Sequence, residues 1–389
     1  MKFKYILFPI VCLLLLQVHC IAQTNETDLY DLSLQLFNRK PKLANVKKVE
    51  SSVVPAIGYS MQTNWAASVN ANFFVNRNAA LQKEKNNTIL TSITYTINNQ
   101  FMIPIQSNWW FKDNTWNVNT DWRFLKYPSI TYGLGARSKL TDANYIDYRY
   151  IKLHQTLSHA IAKNWYAGIG LYYDYIYNIQ ELNPTTTLSS FKKYDSSTTE
   201  KAVGPVFKLL YDNRNNPLNA SQGWFANVVF RPNLIAFGSG ADWQSLLIDV
   251  RKYIRLNTHT QNVLAIWSYS WLTLNGIPPY LLLPSTGWDD TYNTGRGFIQ
   301  GRYRGRNLLY VETEYRFGIS KNGLIGGVVF TNAQSISREI NTNIRGVAIG
   351  YGAGIRIKAN KHSNTNICID YGIGKDGSNG ISVNLGEVF

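Results

Sequence analysis

From about residue 51 to the last residue, apolar and polar side chains alternate with a period of two, in segment after segment. Successive side chains of a β-strand point to opposite faces, so the pattern demands sheet with two chemically different faces. Residues 311–317 put Val311, Thr313, Tyr315 and Phe317 on one face and Glu312, Glu314 and Arg316 on the other. Residues 347–358 set Val347, Ile349, Tyr351, Ala353, Ile355 and Ile357 against Gly350, Gly352, Gly354, Arg356 and Lys358. A soluble sandwich alternates too, so length and end decoration decide. These segments run to about ten residues or more and carry aromatics near their ends, which suits tilted strands crossing a bilayer between aromatic girdles.

The segments fall near 52–60, 65–76, 88–98, 101–111, 115–127, 145–161, 164–179, 201–212, 222–234, 241–257, 260–273, 305–317, 322–332, 345–357, 364–373 and 379–389. An even count lets an antiparallel sheet close with both ends on one side, and an open edge cannot sit in lipid. The expected fold is all-β, a transmembrane antiparallel β-barrel of about sixteen strands. If odd strands run outward, the three longest links (128–144, 180–200 and 274–304) lie outside. The inward links 112–114, 162–163, 258–259 and 318–321 are short, and only 77–87 breaks the pattern.

Composition agrees. Of 389 residues, 45% are hydrophobic, 14% aromatic and 16% charged, against about 25% charged in ordinary soluble domains. That aromatic content excludes disorder. A mean hydropathy of −0.21 is too polar for a helical membrane bundle, and three cysteines exclude a disulfide framework.

Lys2 and Lys4 precede the apolar run 5–18, which ends at Cys20-Ile21-Ala22. This reads as a signal peptide over 1–22; the bulky His19 argues against a lipid anchor on Cys20. Its removal leaves one thiol, Cys368, and lowers the net charge from +15 to +13. Lys and Arg are scattered, so no nucleic-acid partner is expected. Residues 23–50 read as a short periplasmic segment with a helical turn around Asp31–Phe37, and 51–389 as the outer-membrane barrel.

No chemistry stands out. His154, His159, His259 and His362 show no metal spacing. His154 and His159 are five apart and face opposite sides, as do the adjacent Ser158 and His159, and no nucleophile elbow occurs. Residues 372–380 read as an outer turn. Asp289 and Asp290 read as solvated rather than cation-binding. No enzyme activity, cofactor or metal is expected.

Residues 294–317, TGRGFIQGRYRGRNLLYVETEYRF, resemble the loop-six signature of the BamA/TamA-type surface-antigen barrels. Residues 211–223 resemble that family's Asp-x-Arg-Asn…Gly turn through Asp212, Arg214, Asn215 and Gly223. Residues 127–135 resemble the third loop of short Bacteroidota-type members; 353–356 and the chain end also match. The resemblance spans 51–389. It implies that loop six, with Gly295, Arg296, Gly297 and Phe298 at its tip, folds into the lumen. It also implies an outer-membrane role in protein assembly, insertion or translocation. The partners implied are outer-membrane lipid, the barrel assembly machinery, and periplasmic partner or client proteins of a monomeric barrel. Phe389 would be a C-terminal signal at the periplasmic rim.

Two departures stand out. Only about 28 residues occupy the place of the periplasmic POTRA domains, and Asn332 stands where an acid usually pairs the loop-six arginine. An arginine inside a barrel needs acceptors. By alternation, Glu312, Glu314 and Asp370 are the lumenal candidates. Pro55 and Gly58 in the first strand, with Gly380 and Gly386 in the last, suggest a weak seam. The alternatives are a passive channel, whose lumenal Arg251, Arg255, Arg316, Arg356 and Lys358 would favour anions, or a structural barrel subunit of a surface complex.

Overall fold

The computed structural model describes residues 26–37, 49–75, 87–182, 189–194, 197–257, 262–338, 346–361 and 363–389. The expected signal peptide, His259 and His362 lie outside the described residues. Helix α1 (Leu29–Leu36) replaces the expected single turn. Asp28 starts it with a capping box: Asp31 N–H donates to the Asp28 carboxylate at 2.9 Å and Asp28 N–H to Asp31 at 3.2 Å.

The strands are β1 (Val49–Ser60), β2 (Asn64–Val75), β3 (Asn87–Thr96), β4 (Phe101–Phe111), β5 (Trp116–Lys126), β6 (Ser129–Thr131), β7 (Asn144–Ala162) and β8 (Trp165–Glu181). A short helix α2 (Ser190–Tyr194) precedes β9 (Thr199–Asp212), β10 (Gly223–Asn233), β11 (Trp243–Arg255) and β12 (Val263–Gly276). Then come β13 (Asn307–Gly318), β14 (Ile325–Ser337), β15 (Ala348–Asn360), β16 (Thr365–Ile373) and β17 (Asn379–Leu385). Each of the sixteen expected segments is a strand paired antiparallel with the next. The addition is β6, a fragment beside β7 in the third outer loop.

The two faces sort as the alternation requires, with the apolar set outside. On β15, Ile349, Tyr351 and Ile355 are exposed while Arg356 and Lys358 are buried. On β13, Val311 is exposed and Glu312, Glu314 and Arg316 are buried. A soluble sheet would have the reverse; charged groups inside and isoleucine outside suit a wall facing lipid.

The barrel is nearly closed. Among the described residues no backbone ladder joins β1 to β17, and the two approach at their outer ends, where the Met61 side chain lies over Gly380. The last strand stops at Leu385, four residues short of the expected end. Gly386, at φ +90°, turns the chain off the wall.

Candidate functional site

Loop six runs from residue 277 to 306 between β12 and β13. Leu281, Leu283, Ser285, Thr286, Thr294 and Arg302 to Arg304 are all buried in it. Asp289 organises its turns. Its carboxylate accepts from the Thr291, Asn293 and Thr294 N–H groups at 3.2, 3.0 and 2.7 Å, and from the Thr291 and Thr294 hydroxyls at 2.6 and 2.7 Å. The solvated Asp289 expected from sequence is therefore corrected: a carboxylate surrounded by local donors closes a turn. Asp290 pairs with Lys152 at 3.1 Å.

Arg296 is buried at the tip, and the three acids chosen by alternation surround it. Its Nη1 donates to Asp370 at 3.1 Å, and its Nη2 to Glu314 at 2.5 Å and to Glu312. The guanidinium also lies 3.8 Å from the Phe330 ring centroid. Asn332 is the departure from the family pattern, and the structure gives it a different task. Its amide donates to the Arg296 backbone carbonyl at 2.9 Å.

The glycines beside Arg296 have a steric reason. Gly297, at φ +91°, packs its backbone on β16: a Cβ there would lie 2.9 Å from the Ile373 carbonyl carbon, and one on Gly372 would lie 2.6 Å from the Gly297 nitrogen. Gly295, at φ +82°, abuts Thr286, and Phe298 is buried edge-on to Tyr303 at 5.7 Å.

The ion pairs do not stop at Arg296. Asp370 also binds Arg356 at 2.6 Å; Arg356 binds Glu387 at 2.8 Å; Glu387 lies 3.7 Å from Arg316; and Arg316 donates to Glu314, which returns to Arg296. Three arginines and three acids thus alternate in a closed ring, with Glu312 joined at Arg296 and bonded by the Tyr310 hydroxyl. Such multiply bonded partners are what a buried charge requires.

The chain end enters the same assembly. Phe389 is buried inside the wall, with its ring 5.2 Å from Trp267 and 6.3 Å from Tyr253. Its carbonyl accepts from Arg316 at 2.8 Å, and the Val388 carbonyl accepts from Asn293 of loop six at 2.8 Å. Glu387 shows why. Continued alternation from Ile381, Val383 and Leu385 would put it on the lipid face, so the chain leaves the wall first. That charge on an apolar register was the signal in the sequence.

The Asp212 turn stands apart from loop six. Arg214 grips Asp212 with two bonds of 2.9 Å, Asn215 accepts from Ser221 N–H at 3.0 Å, and Gly223 takes φ +108°. The turn reaches the β15–β16 turn, through Asn219 to the Asn364 carbonyl at 3.1 Å, and its Ala220 carbonyl accepts from Arg316 at 3.2 Å.

The third outer loop does meet loop six. Tyr127 donates to Gln300 at 2.6 Å, Gly135 N–H donates to the Arg304 carbonyl at 2.7 Å, and Thr131 bonds the Tyr280 hydroxyl at 2.6 Å. Burial pushes the Tyr127 phenol well above its ordinary pKa, so it stays a donor. The expected basic lumen is largely neutralised: Arg251 pairs with Asp249 at 2.8 Å, and Arg316 and Arg356 are in the ring. Lys358 bonds Asn364, and Arg255 the Ser221 hydroxyl at 2.6 Å. Among the described residues no group of three or more His, Cys, Asp or Glu is placed to hold a metal.

A family profile described as the Omp85 superfamily domain matches residues 63–389. No curated protein sequence matches the chain. Among solved structures, BamA from Haemophilus ducreyi lacking POTRA domains 1–3 is similar, with a TM-score of 0.56 at 14% identity, over 89% of this chain and 73% of that one. CdiB from Escherichia coli aligns with a TM-score of 0.59 at 10% identity over 89% of this chain, and CdiB from Acinetobacter baumannii with 0.56 at 12% over 88%. The chain spans only 63% and 60% of those two CdiB chains. At these identities the likeness is one of fold.

Proposed function

The chain belongs to the Omp85 superfamily of outer-membrane barrels, and from that premise we propose that it assists the insertion or translocation of other proteins at the outer membrane, with loop six held in the lumen as a latch. The observation that carries this reading is Arg296, buried on Glu312, Glu314 and Asp370. A loop tied this way to β13 and β16 braces the part of the wall next to the unladdered β1–β17 seam. A wall that is firm on one side of a weak seam can part there without unfolding.

The test is reconstitution. The mature chain is placed in lipid vesicles, and a urea-denatured outer-membrane barrel is diluted into them while its folding is followed by its shift on unheated gels. Folding faster than in protein-free vesicles is the expected result. Equal rates would overturn the insertion reading, and steady conductance from the same vesicles in a planar bilayer would then favour the channel.

A further inference from the structure

A second buried cluster lies away from the latch. A cavity of about 140 Å³ is lined by the interior faces of β5 and β7 to β12 and by loop-six residues that include Trp288, Asp290 and Tyr292. Most charges around it are matched. Arg123 and Lys152 each approach Asp121 at 2.7 Å. Asp174 takes Arg231 at 2.6 Å and His154 at 3.0 Å, together with the Tyr150 hydroxyl.

What remains unmatched points at a ligand. Lys208 lines the cavity, and the acid whose charge reaches it, Asp290, is already paired with Lys152 at 3.1 Å. The Trp243 indole N–H, the Arg231 Nε–H and the Asn227 Oδ1 are buried without a hydrogen-bond partner. Register gathers them. Lys208 opposes Val229, which lies between Asn227 and Arg231 on the same face of β10. Trp243 opposes Asn233, the next position on that face, and the Arg231 guanidinium is 5.8 Å from the Trp243 ring centroid. Buried polar atoms are almost always bonded, so several orphans around one cavity mark an occupant's contacts.

We propose that this cavity binds a small hydroxylated carboxylate, about the size of one sugar acid. Lys208 supplies the countercharge for the carboxylate. The Arg231 and Trp243 N–H groups need acceptors, which carboxylate and ring oxygens provide. Asn227 Oδ1 needs a donor, so the ligand must carry a hydroxyl. Tyr172 and Trp271, also in the lining, offer aromatic faces to the ring. A cavity of about 150 Å³ holds a six-membered ring. A metal cation would face N–H donors, and a neutral sugar would leave Lys208 sharing Asp290 with Lys152.

The experiment is isothermal titration calorimetry of the folded chain in detergent with glucuronate, glucose and inorganic phosphate, and it reads binding independently of any insertion activity. Saturable glucuronate binding is expected, with glucose and phosphate each at least about tenfold weaker. Lys208→Gln should reduce glucuronate to the level of glucose. Trp243→Phe, which keeps the ring and removes the N–H, should also weaken it. Arg255→Gln, outside the cavity, should leave it unchanged. Unheated-gel mobility checks that each variant folds. No saturable heat, glucose or phosphate equal to glucuronate, or an unaffected Lys208→Gln would each overturn the proposal.

Discussion

The Asn332 amide donates to the backbone carbonyl of Arg296 at 2.9 Å, while the guanidinium of the same residue turns to Glu312, Glu314 and Asp370. One residue is thus held at both ends by different strands. Asn332→Asp restores an acid at this position but sets a carboxylate against a carbonyl. The loss of the donor should destabilise the barrel by about 1–3 kcal/mol. The temperature at which the folded, fast-migrating band disappears on gels would fall, and an unchanged temperature would show that the bond contributes nothing.

Arg296→Ala leaves Glu312 buried without a cation, and a broken buried pair costs about 3–5 kcal/mol. The barrel should still assemble, because the strand pattern is untouched, but melt earlier and lose the proposed acceleration of client folding. A variant matching the parent in both respects would count against the latch.

Glu314 bridges Arg296 and Arg316, whereas Glu312 contacts Arg296 alone among the arginines. Glu314→Gln should therefore be the more damaging of the two neutral replacements, by about 1–2 kcal/mol. Thermal melting of the pair in one detergent decides it; the reverse order would refute the ring as drawn.

Phe389→Ala empties a buried site between Trp267 and Tyr253 and should cost about 3–5 kcal/mol. Because Trp267 is fully buried beside it, the intrinsic fluorescence of the folded variant should shift to the red. An unshifted spectrum and melting point would mean the chain end lies free in solution.

Helix α1 is tied to the β15–β16 turn by Lys361, whose ammonium bonds Asp31 at 2.6 Å and whose N–H bonds Asp28 at 2.9 Å. The Lys361 bond holds the Asp31 carboxyl below its ordinary pKa. A depressed carboxyl pKa stabilises the docked state above the ordinary value, near 4, and that contribution is lost as pH falls through the depressed one. Hydrogen exchange in α1 should be steady from pH 7 to 5 once corrected for intrinsic rates, and rise below about 4. Lys361→Met should show the raised exchange at neutral pH.

The wall was legible because it is a local property. Each of the sixteen strands announces itself in the alternation of its own residues, and parity made Glu312, Glu314 and Asp370 candidate partners of Arg296. Two things escaped. Asp289 looked like a solvated loop acid because its five donors come from turns that alternation does not encode. The tail after Leu385 looked like strand because Leu385 and Phe389 keep the parity. Only the conflict of Glu387 with a lipid-facing position, together with Gly386, betrays the turn. The Arg296–Asp370 contact, spanning 74 residues, could be offered as a candidate but not selected, since distance along the chain says nothing of which acid is nearest.

The closed circuit of Arg296, Asp370, Arg356, Glu387, Arg316 and Glu314 has a topological consequence. Each member has two neighbours in it, so cutting one link leaves all six joined through the remaining path. Separating loop six from the chain end demands a cut on each of the ring's two arcs, and the Asn293 bond to the Val388 carbonyl must part as well. A substitution within one arc, at Asp370 or Arg356 on one side or at Glu314 or Arg316 on the other, is therefore buffered by the opposite arc, and the effect of a double substitution on opposite arcs should exceed the sum of its parts.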